Sequence, residues 1–111
     1  MTNLLLSIAM AMRLAPGPVM VPTMATAAGM DPRLATCIVE AESGWDTFAV
    51  GTLGERGLWQ IHPQTWAWAR EQMGADTDFA LAFDVLENTT TALWLIGEGY
   101  GAWFSTWEGC R

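Results

Sequence analysis

Apolar residues recur at helical spacing after residue 30 and predict a first helix. Asp31 caps its N-terminus and Pro32 fits its first turn, while Gly44 ends it. Four residues at this spacing predict its buried face: Leu34, Cys37, Ile38 and Ala41. Glu42 therefore falls at the edge of the apolar face in the last turn, whereas Glu40 falls on the polar face.

The pattern predicts two further helices after the first. One helix runs from Pro63 to about Met73, and the other spans about residues 84–96. The inward face of the last helix is predicted to contain Val85, Leu86, Thr89, Ala92, Leu93 and Ile96. Residues 51–57 predict a glycine-rich turn or short hairpin, and residues 100–107 form an aromatic tail. The predicted fold class is α+β and predominantly helical.

The first 28 residues differ from the rest of the chain. An apolar run over residues 4–12 has the length of a signal-peptide core, and residues 25–27 (Ala-Thr-Ala) would serve as a cleavage site. No Lys or Arg precedes the run, so an uncleaved helix packed on the domain or on a partner is the alternative. Residues 14–22 contain three prolines and a glycine, which predict a linker. The main domain is then expected over residues 29–111.

Composition and charge exclude several classes of function. A hydrophobic fraction of 51% with only 15% charged residues excludes a disordered chain. Five Lys and Arg against twelve Asp and Glu leave a net charge of −7, so no basic face for nucleic acid can be assembled. Cys37 and Cys110 cannot form a metal site by themselves; they predict a disulfide or two thiols, depending on the compartment. Seven tryptophans suit either a core or the stacking of sugar rings.

The position of Glu42 suggests acid chemistry. A carboxyl at the edge of an apolar face and at the negative end of a helix dipole is favoured in its neutral form. Such a group can protonate a glycosidic oxygen, which is a poor leaving group until it receives a proton. Position alone favours an ordinary surface glutamate at a helix end, so the assignment depends on the surrounding motifs.

Four motifs around Glu42 resemble those of lytic transglycosylases and goose-type lysozymes. Glu-Ser-Gly-Trp at 42–45 and Gly-Leu-Trp-Gln-Ile at 57–61 resemble the first two motifs of that family. Asp-Val-Leu-Glu-Asn at 84–88 resembles its Asp-x-x-x-Asn helix, and Gly-Ala-Trp at 101–103 its last aromatic motif. The four occur in the family's order across about residues 29–107. The resemblance implies a lysozyme-like fold.

A second resemblance is to animal c-type lysozymes. In those proteins a cysteine five residues before the catalytic glutamate bonds to a cysteine near the C-terminus. Cys37 also precedes Glu42 by five residues, and Cys110 follows Ala102 by eight, which is the Ala-to-Cys separation of those lysozymes. The resemblance implies a disulfide between Cys37 and Cys110. It also implies that Trp103 packs against the Glu42 carboxyl and shields it from water.

The resemblances imply a set of site residues: Glu42 as the catalytic acid, with Ser43, Gln60, Tyr100 and Trp103 in substrate binding. Glu55 lies five residues before Gln60, where c-type lysozymes place a second acid; the alternative is a solvated loop glutamate beside Arg56. His62, the only histidine, precedes Pro63 and is predicted to cap a helix rather than act as a base. Asn88 is expected to bond to the turn near Gln60.

The function implied is that of a muramidase that cleaves the bond between N-acetylmuramic acid and N-acetylglucosamine in peptidoglycan. A lytic transglycosylase is preferred over a lysozyme hydrolase, with no cofactor and no metal. The expected partner is the glycan strand, bound by a monomeric domain outside the cytoplasm, in the envelope, secreted or on a virion. A second expected partner is an envelope or virion protein, contacted through the N-terminal helix. The alternative is a non-catalytic structural or wall-binding component with the same fold, against which the intact Glu42 argues.

Overall fold

Five α-helices and one 3-10 helix form the regular structure of residues 15–101 and 103–111, the part of the chain that the computed structural model describes. They are α1 (Gly17–Ala27), α2 (Pro32–Ser43), α3 (Pro63–Gln72), the 3-10 helix Phe79–Phe83, α4 (Val85–Gly97) and α5 (Phe104–Cys110). Extended pairing in that part consists of two isolated bridges in the glycine-rich loop, Val50 with Arg56 and Arg56 with Ile61. The prediction of a predominantly helical fold is confirmed.

Helix α2 begins and ends where its capping residues predict. The carboxylate of Asp31 accepts a hydrogen bond from the backbone N–H of Arg33, and Gly44 ends the helix in the left-handed conformation at φ 59°. Its buried residues are Ala35, Ile38 and Val39. The predicted burial of Ala41 is wrong, because that residue is exposed. The buried face is set by α1 and α5, both of which pack on α2.

Helix α1 contradicts the linker predicted over residues 14–22. The chain is helical from Gly17 to Ala27, and Pro22 lies inside the helix. A proline in a helix interior costs about 3 kcal/mol, because it removes one hydrogen bond and crowds the preceding turn. Met20 and Val21 are fully buried, and burial of each such side chain contributes about 1.5–3 kcal/mol. Packing on the domain therefore offsets the proline.

The core of the protein includes α1. Val21 and Ala25 belong to the same buried cluster as Ile38 of α2 and Leu95 of α4. A cleavage after Ala27 would therefore remove part of that core. The apolar run predicted as a helix over residues 4–12 lies outside the described residues. Within the described part, no helix is long and apolar enough to cross a membrane.

Helices α3 and α4 also follow their predicted bounds, with Asp84 capping α4 through the N–H of Glu87. Thr89 and Ala92 are buried as predicted, but the other four residues of the predicted inward face are only half-buried. The fully buried positions of α4 that the pattern missed are Asn88, Thr91 and Leu95. Two of these are polar, and each is buried because a partner from another element satisfies it.

Arg70 supplies one of those partners and holds α3 against α4. Its side chain is buried, with Nη1 2.8 Å from Glu87 Oε2 and 3.3 Å from Thr91 Oγ1. Its Nε donates to the carbonyl of Asp76, and its guanidinium lies 4.8 Å from the centre of the Trp66 ring. Because a buried charge is costly without its partners, these contacts fix the position of α3 against α4.

Candidate active site

Glu42 lies in the last turn of α2, half-buried, in the wall of a cavity of ≈ 220 Å³. The cavity is lined by residues from α2, the glycine-rich loop, the start of α3 and the segment before α5: Glu42, Leu53, Glu55, Gln60, Ile61, His62, Thr65 and Trp103. Four of the residues predicted for the site, Glu42, Glu55, Gln60 and Trp103, are thus brought together.

Helix α5 is joined to α2 at two levels. Cys37 and Cys110 form a disulfide with their Cα atoms 5.8 Å apart, which confirms the predicted pairing. The hydroxyl of Thr106 donates a hydrogen bond of 2.6 Å to Oε1 of Glu42. Cys37 precedes Glu42 along α2, whereas its partner Cys110 follows Thr106 along α5. The two helices therefore run antiparallel. This arrangement holds the Glu42 carboxyl by one oxygen.

Trp103 forms an apolar wall of the same cavity. Its side chain is 3% exposed, and its Nε1 donates a hydrogen bond of 2.6 Å to the carbonyl of Trp59. The two indole rings meet edge to face, with centroids 5.7 Å apart. The hydrogen bond and the ring contact fix the orientation of the indole beside Glu42.

Gln60 shapes the loop that faces Glu42. Its backbone is left-handed at φ 51°, and its side-chain amide donates to the carbonyls of Ala49 and Gly57. Gly57, at φ 81°, could not be replaced without strain, because an added Cβ would lie 2.2 Å from the carbonyl oxygen of Ala82. Hydrogen bonds from Gln60 therefore hold the loop together, and the carbonyl of Ala82 packs closely against it at Gly57.

Asn88 joins this loop to α4, as predicted from the sequence. Its side-chain carbonyl accepts a hydrogen bond of 3.0 Å from the backbone N–H of Trp59. Its amide donates to the carbonyls of Arg56 and Ala82. Since Asn88 is fully buried, these three bonds satisfy a polar side chain that would otherwise destabilise the core.

Glu55 is half-buried and lines the same cavity as Glu42. Its Oε1 accepts a hydrogen bond of 2.7 Å from the N–H of Leu53, which closes the turn before it. Arg56 is engaged elsewhere, with its guanidinium 4.4 Å from the centre of the Phe79 ring and its Nη1 donating to the Phe79 carbonyl. A second carboxylate thus shares the cavity of Glu42.

Two predicted substrate contacts lie away from this cavity. The hydroxyl of Ser43 donates to the carbonyl of Val39 within α2, and Ser43 is not among the described lining residues. Tyr100 lines a neighbouring cavity of ≈ 400 Å³ with His62, Gln64, Thr65 and Trp68.

The two cavities adjoin each other, because His62 and Thr65 line both. The hydroxyl groups of Tyr100 and Thr65 lie 3.2 Å apart at hydrogen-bond distance. His62 caps α3 as predicted, since its Nδ1 accepts from the N–H of Gln64. Within the described residues, no cluster of His, Cys, Asp and Glu is placed to hold a metal ion.

The geometry agrees with a comparison against protein families. The family model described as the transglycosylase SLT domain matches residues 20–110. The chain belongs to the transglycosylase SLT domain family. Comparisons with individual curated proteins and with solved structures gave no match. The match begins inside α1, in the segment that the proline pattern had assigned to a linker.

Membership of the SLT family confirms the resemblance to lytic transglycosylases and the lysozyme-like fold. The family consists of glycosidase-type enzymes that act on peptidoglycan. The sequence analysis missed three residues of this SLT domain that line the cavities or bond to Glu42: Thr65, Trp68 and Thr106. Trp68 had one sequence signal, since it follows the buried Trp66 by two residues and so points to another side of α3. Thr106 had none.

Proposed function

We propose that the protein cleaves the bond between N-acetylmuramic acid and N-acetylglucosamine with Glu42 as both acid and base. The observation that carries the proposal is the position of one carboxyl group. Glu42 is half-buried, lines a cavity with Gln60 and Trp103, and accepts a hydrogen bond from Thr106. A carboxyl held in a partly apolar cavity is suited to deliver a proton to a sugar oxygen that enters it.

The proposed reaction consumes no water. Glu42 donates its proton to the glycosidic oxygen, the bond from that oxygen to the muramyl C1 breaks, and the glucosamine leaves as an alcohol. The oxygen of the muramyl C6 hydroxyl then bonds to C1, and the Glu42 carboxylate takes the proton of that hydroxyl. The product is a 1,6-anhydromuramyl end, and Glu42 is protonated again.

Trp103 and Gln60 have supporting roles in this proposal. The Trp103 indole excludes water from one side of the Glu42 carboxyl, which disfavours competing hydrolysis. The Gln60 amide N–H groups are bonded to the loop, and its carbonyl oxygen can accept from a sugar acetamido N–H. Ser43 is left out, because its hydroxyl is bonded to Val39.

Glu55 supports a second candidate, a lysozyme-type hydrolase. It lines the same cavity as Glu42, and two carboxylates flanking a glycosidic bond are the usual apparatus for hydrolysis. The bond from Leu53 N–H to Glu55 Oε1 instead supports a role in shaping the loop. Membership of the transglycosylase SLT family also favours the route without water.

The products of purified peptidoglycan digested in ¹⁸O-water, analysed by mass spectrometry, test these alternatives. The proposal expects anhydromuramyl ends without ¹⁸O, and a Glu55→Gln variant that retains most of the activity. Reducing-end muramic acid carrying ¹⁸O, together with an inactive Glu55→Gln variant, would identify a two-carboxylate hydrolase. Intact glycan after treatment with the folded wild-type protein would identify the non-catalytic alternative.

We also propose that the protein acts outside the cytoplasm. The disulfide between Cys37 and Cys110 requires an oxidising compartment to form and persist. Peptidoglycan, the substrate of the family, lies in the same space. Alkylation of proteins from the producing cell before lysis tests this: the cysteines of the cell-associated protein should resist alkylation until a reductant is added.

A further inference from the structure

Two aromatic side chains stand exposed at the second cavity. Trp68 of α3 is 47% exposed and Tyr100, after α4, is 42% exposed. Their ring centroids lie 6.2 Å apart, with the planes inclined by 29°. Trp94 packs against Trp68 from α4, with centroids 5.7 Å apart. The three elements therefore present a fixed aromatic surface to solvent, which is typical of a ligand site rather than of a core.

The chemistry of the cavity beside these rings suits an uncharged sugar. The described residues that line it with Trp68 and Tyr100 are His62, Gln64 and Thr65. They include hydroxyl, amide and imidazole groups but no carboxylate, lysine or arginine. Flat apolar rings beside neutral hydrogen-bonding groups match a pyranose, which has an apolar face and a rim of hydroxyl and acetamido groups.

The second cavity adjoins the cavity of Glu42, so a strand that passes His62 and Thr65 would reach both. Thr65 lines both cavities, and Trp68 follows it by three residues on the same face of α3. Of the two cavities, Glu42 lines the first and Trp68 the second. A sugar ring stacked on Trp68 is therefore a different ring from the one whose bond lies at Glu42.

We propose that Trp68 and Tyr100 form a sugar-binding platform for the same glycan strand, at least one ring away from the bond that is cleaved. The inference rests on the proposed function, because it takes the strand to lie in the Glu42 cavity. Trp68 then selects for strand length: a glycan too short to reach it loses the stacking contact. The enzyme is expected to bind long strands more tightly than short ones.

Indole N–H signals in ¹⁵N–¹H NMR spectra test the platform without requiring cleavage. The probe is chitohexaose, the β-1,4-linked hexamer of N-acetylglucosamine, and mass spectrometry verifies that it stays intact. The Trp68 signal, assigned by its absence in Trp68→Phe, should shift on titration. Trp68→Ala should weaken hexamer binding about tenfold, whereas Trp68→Phe, which keeps an aromatic face, should weaken it less. Phe48→Ala is the control, since Phe48 is 73% exposed and lines neither cavity.

The outcomes separate this inference from the proposed function. A wild-type enzyme that cleaves peptidoglycan, with a Trp68 signal that does not move and a Trp68→Ala variant of unchanged affinity, would overturn the platform. A Trp68 signal that shifts in a protein unable to cleave peptidoglycan would support the platform and refute the proposed function. If Trp68→Ala does not fold, the wild-type titration and Trp68→Phe still decide the question.

Discussion

Thr106 donates a hydrogen bond of 2.6 Å to the carboxyl of Glu42, across 64 residues of sequence. Thr106 precedes Cys110 by four residues, about one turn of α5, and Cys110 is bonded to Cys37 in the middle of α2. Helix α5 has only seven residues, too few to be stable on its own. The disulfide and the core around Trp103 therefore hold in place the helix that positions the Glu42 carboxyl.

Glu42→Gln is expected to lower lytic activity by roughly 10²–10⁴-fold while the fold is retained. Glutamine keeps the size of the side chain and an oxygen that can accept from Thr106, but it cannot donate a proton to the glycosidic oxygen. Turbidity clearing of purified cell walls measures the effect. Glu40→Gln, at an exposed position of the same helix, is the matched control and should retain activity. A folded Glu42→Gln variant that clears walls at the wild-type rate would refute the assignment.

Thr106→Val is expected to lower kcat for cleavage of soluble glycan strands with little change in KM, and Thr106→Ser is not. Valine keeps the shape of threonine but removes the hydroxyl that donates to Glu42, so the carboxyl is no longer held in one orientation towards the bond. Serine keeps that hydroxyl. Equal kcat values for the wild type and both variants, at equal thermal stability, would mean that Thr106 has only a structural role.

Reduction of the disulfide is expected to lower the free energy of unfolding by about 4–5 kcal/mol in the chain-entropy model, because the bond closes a long loop. The two cysteines are separated by 73 residues. Urea unfolding with and without a reductant measures the difference, and the double variant with both cysteines replaced by alanine should behave like the reduced protein. Activity should fall with reduction at temperatures where the protein is still folded, since α5 then loses its covalent attachment. Unfolding curves that coincide would contradict the stabilising role.

Gly57→Ala is expected to destabilise the protein by about 2–4 kcal/mol and to abolish activity. The added Cβ would lie 2.2 Å from the Ala82 carbonyl oxygen and 2.4 Å from Asn88 Nδ2, at a backbone φ of 81° that disfavours any side chain. Gly97→Ala, at the end of α4 with open space around it, is the control and should be neutral or slightly stabilising. Thermal melts of the two variants provide the comparison, and equal melting temperatures would show that the loop adjusts to the methyl group.

Local signals were enough to place Glu42. Asp31, Pro32 and Gly44 define the ends of α2 through contacts within a few residues, so the turn that carries Glu42 could be located without knowing the fold. Family resemblance added the disulfide and the cavity residues Gln60 and Trp103, because those motifs keep their order along the chain.

Contacts between segments that are far apart in the sequence could not be predicted from such local signals. Pro22 indicated a linker, because the energetic cost of a proline in a helix is a local property of the sequence. The burial of Met20 and Val21, which offsets that cost, depends instead on the packing of α1 against the domain. Thr106 reaches Glu42, and Tyr100 reaches Trp68, only because α5 and the end of α4 fold back over α2 and α3. Capping and periodicity act within about one helical turn, and the relative placement of helices is determined by the shape of the shared core.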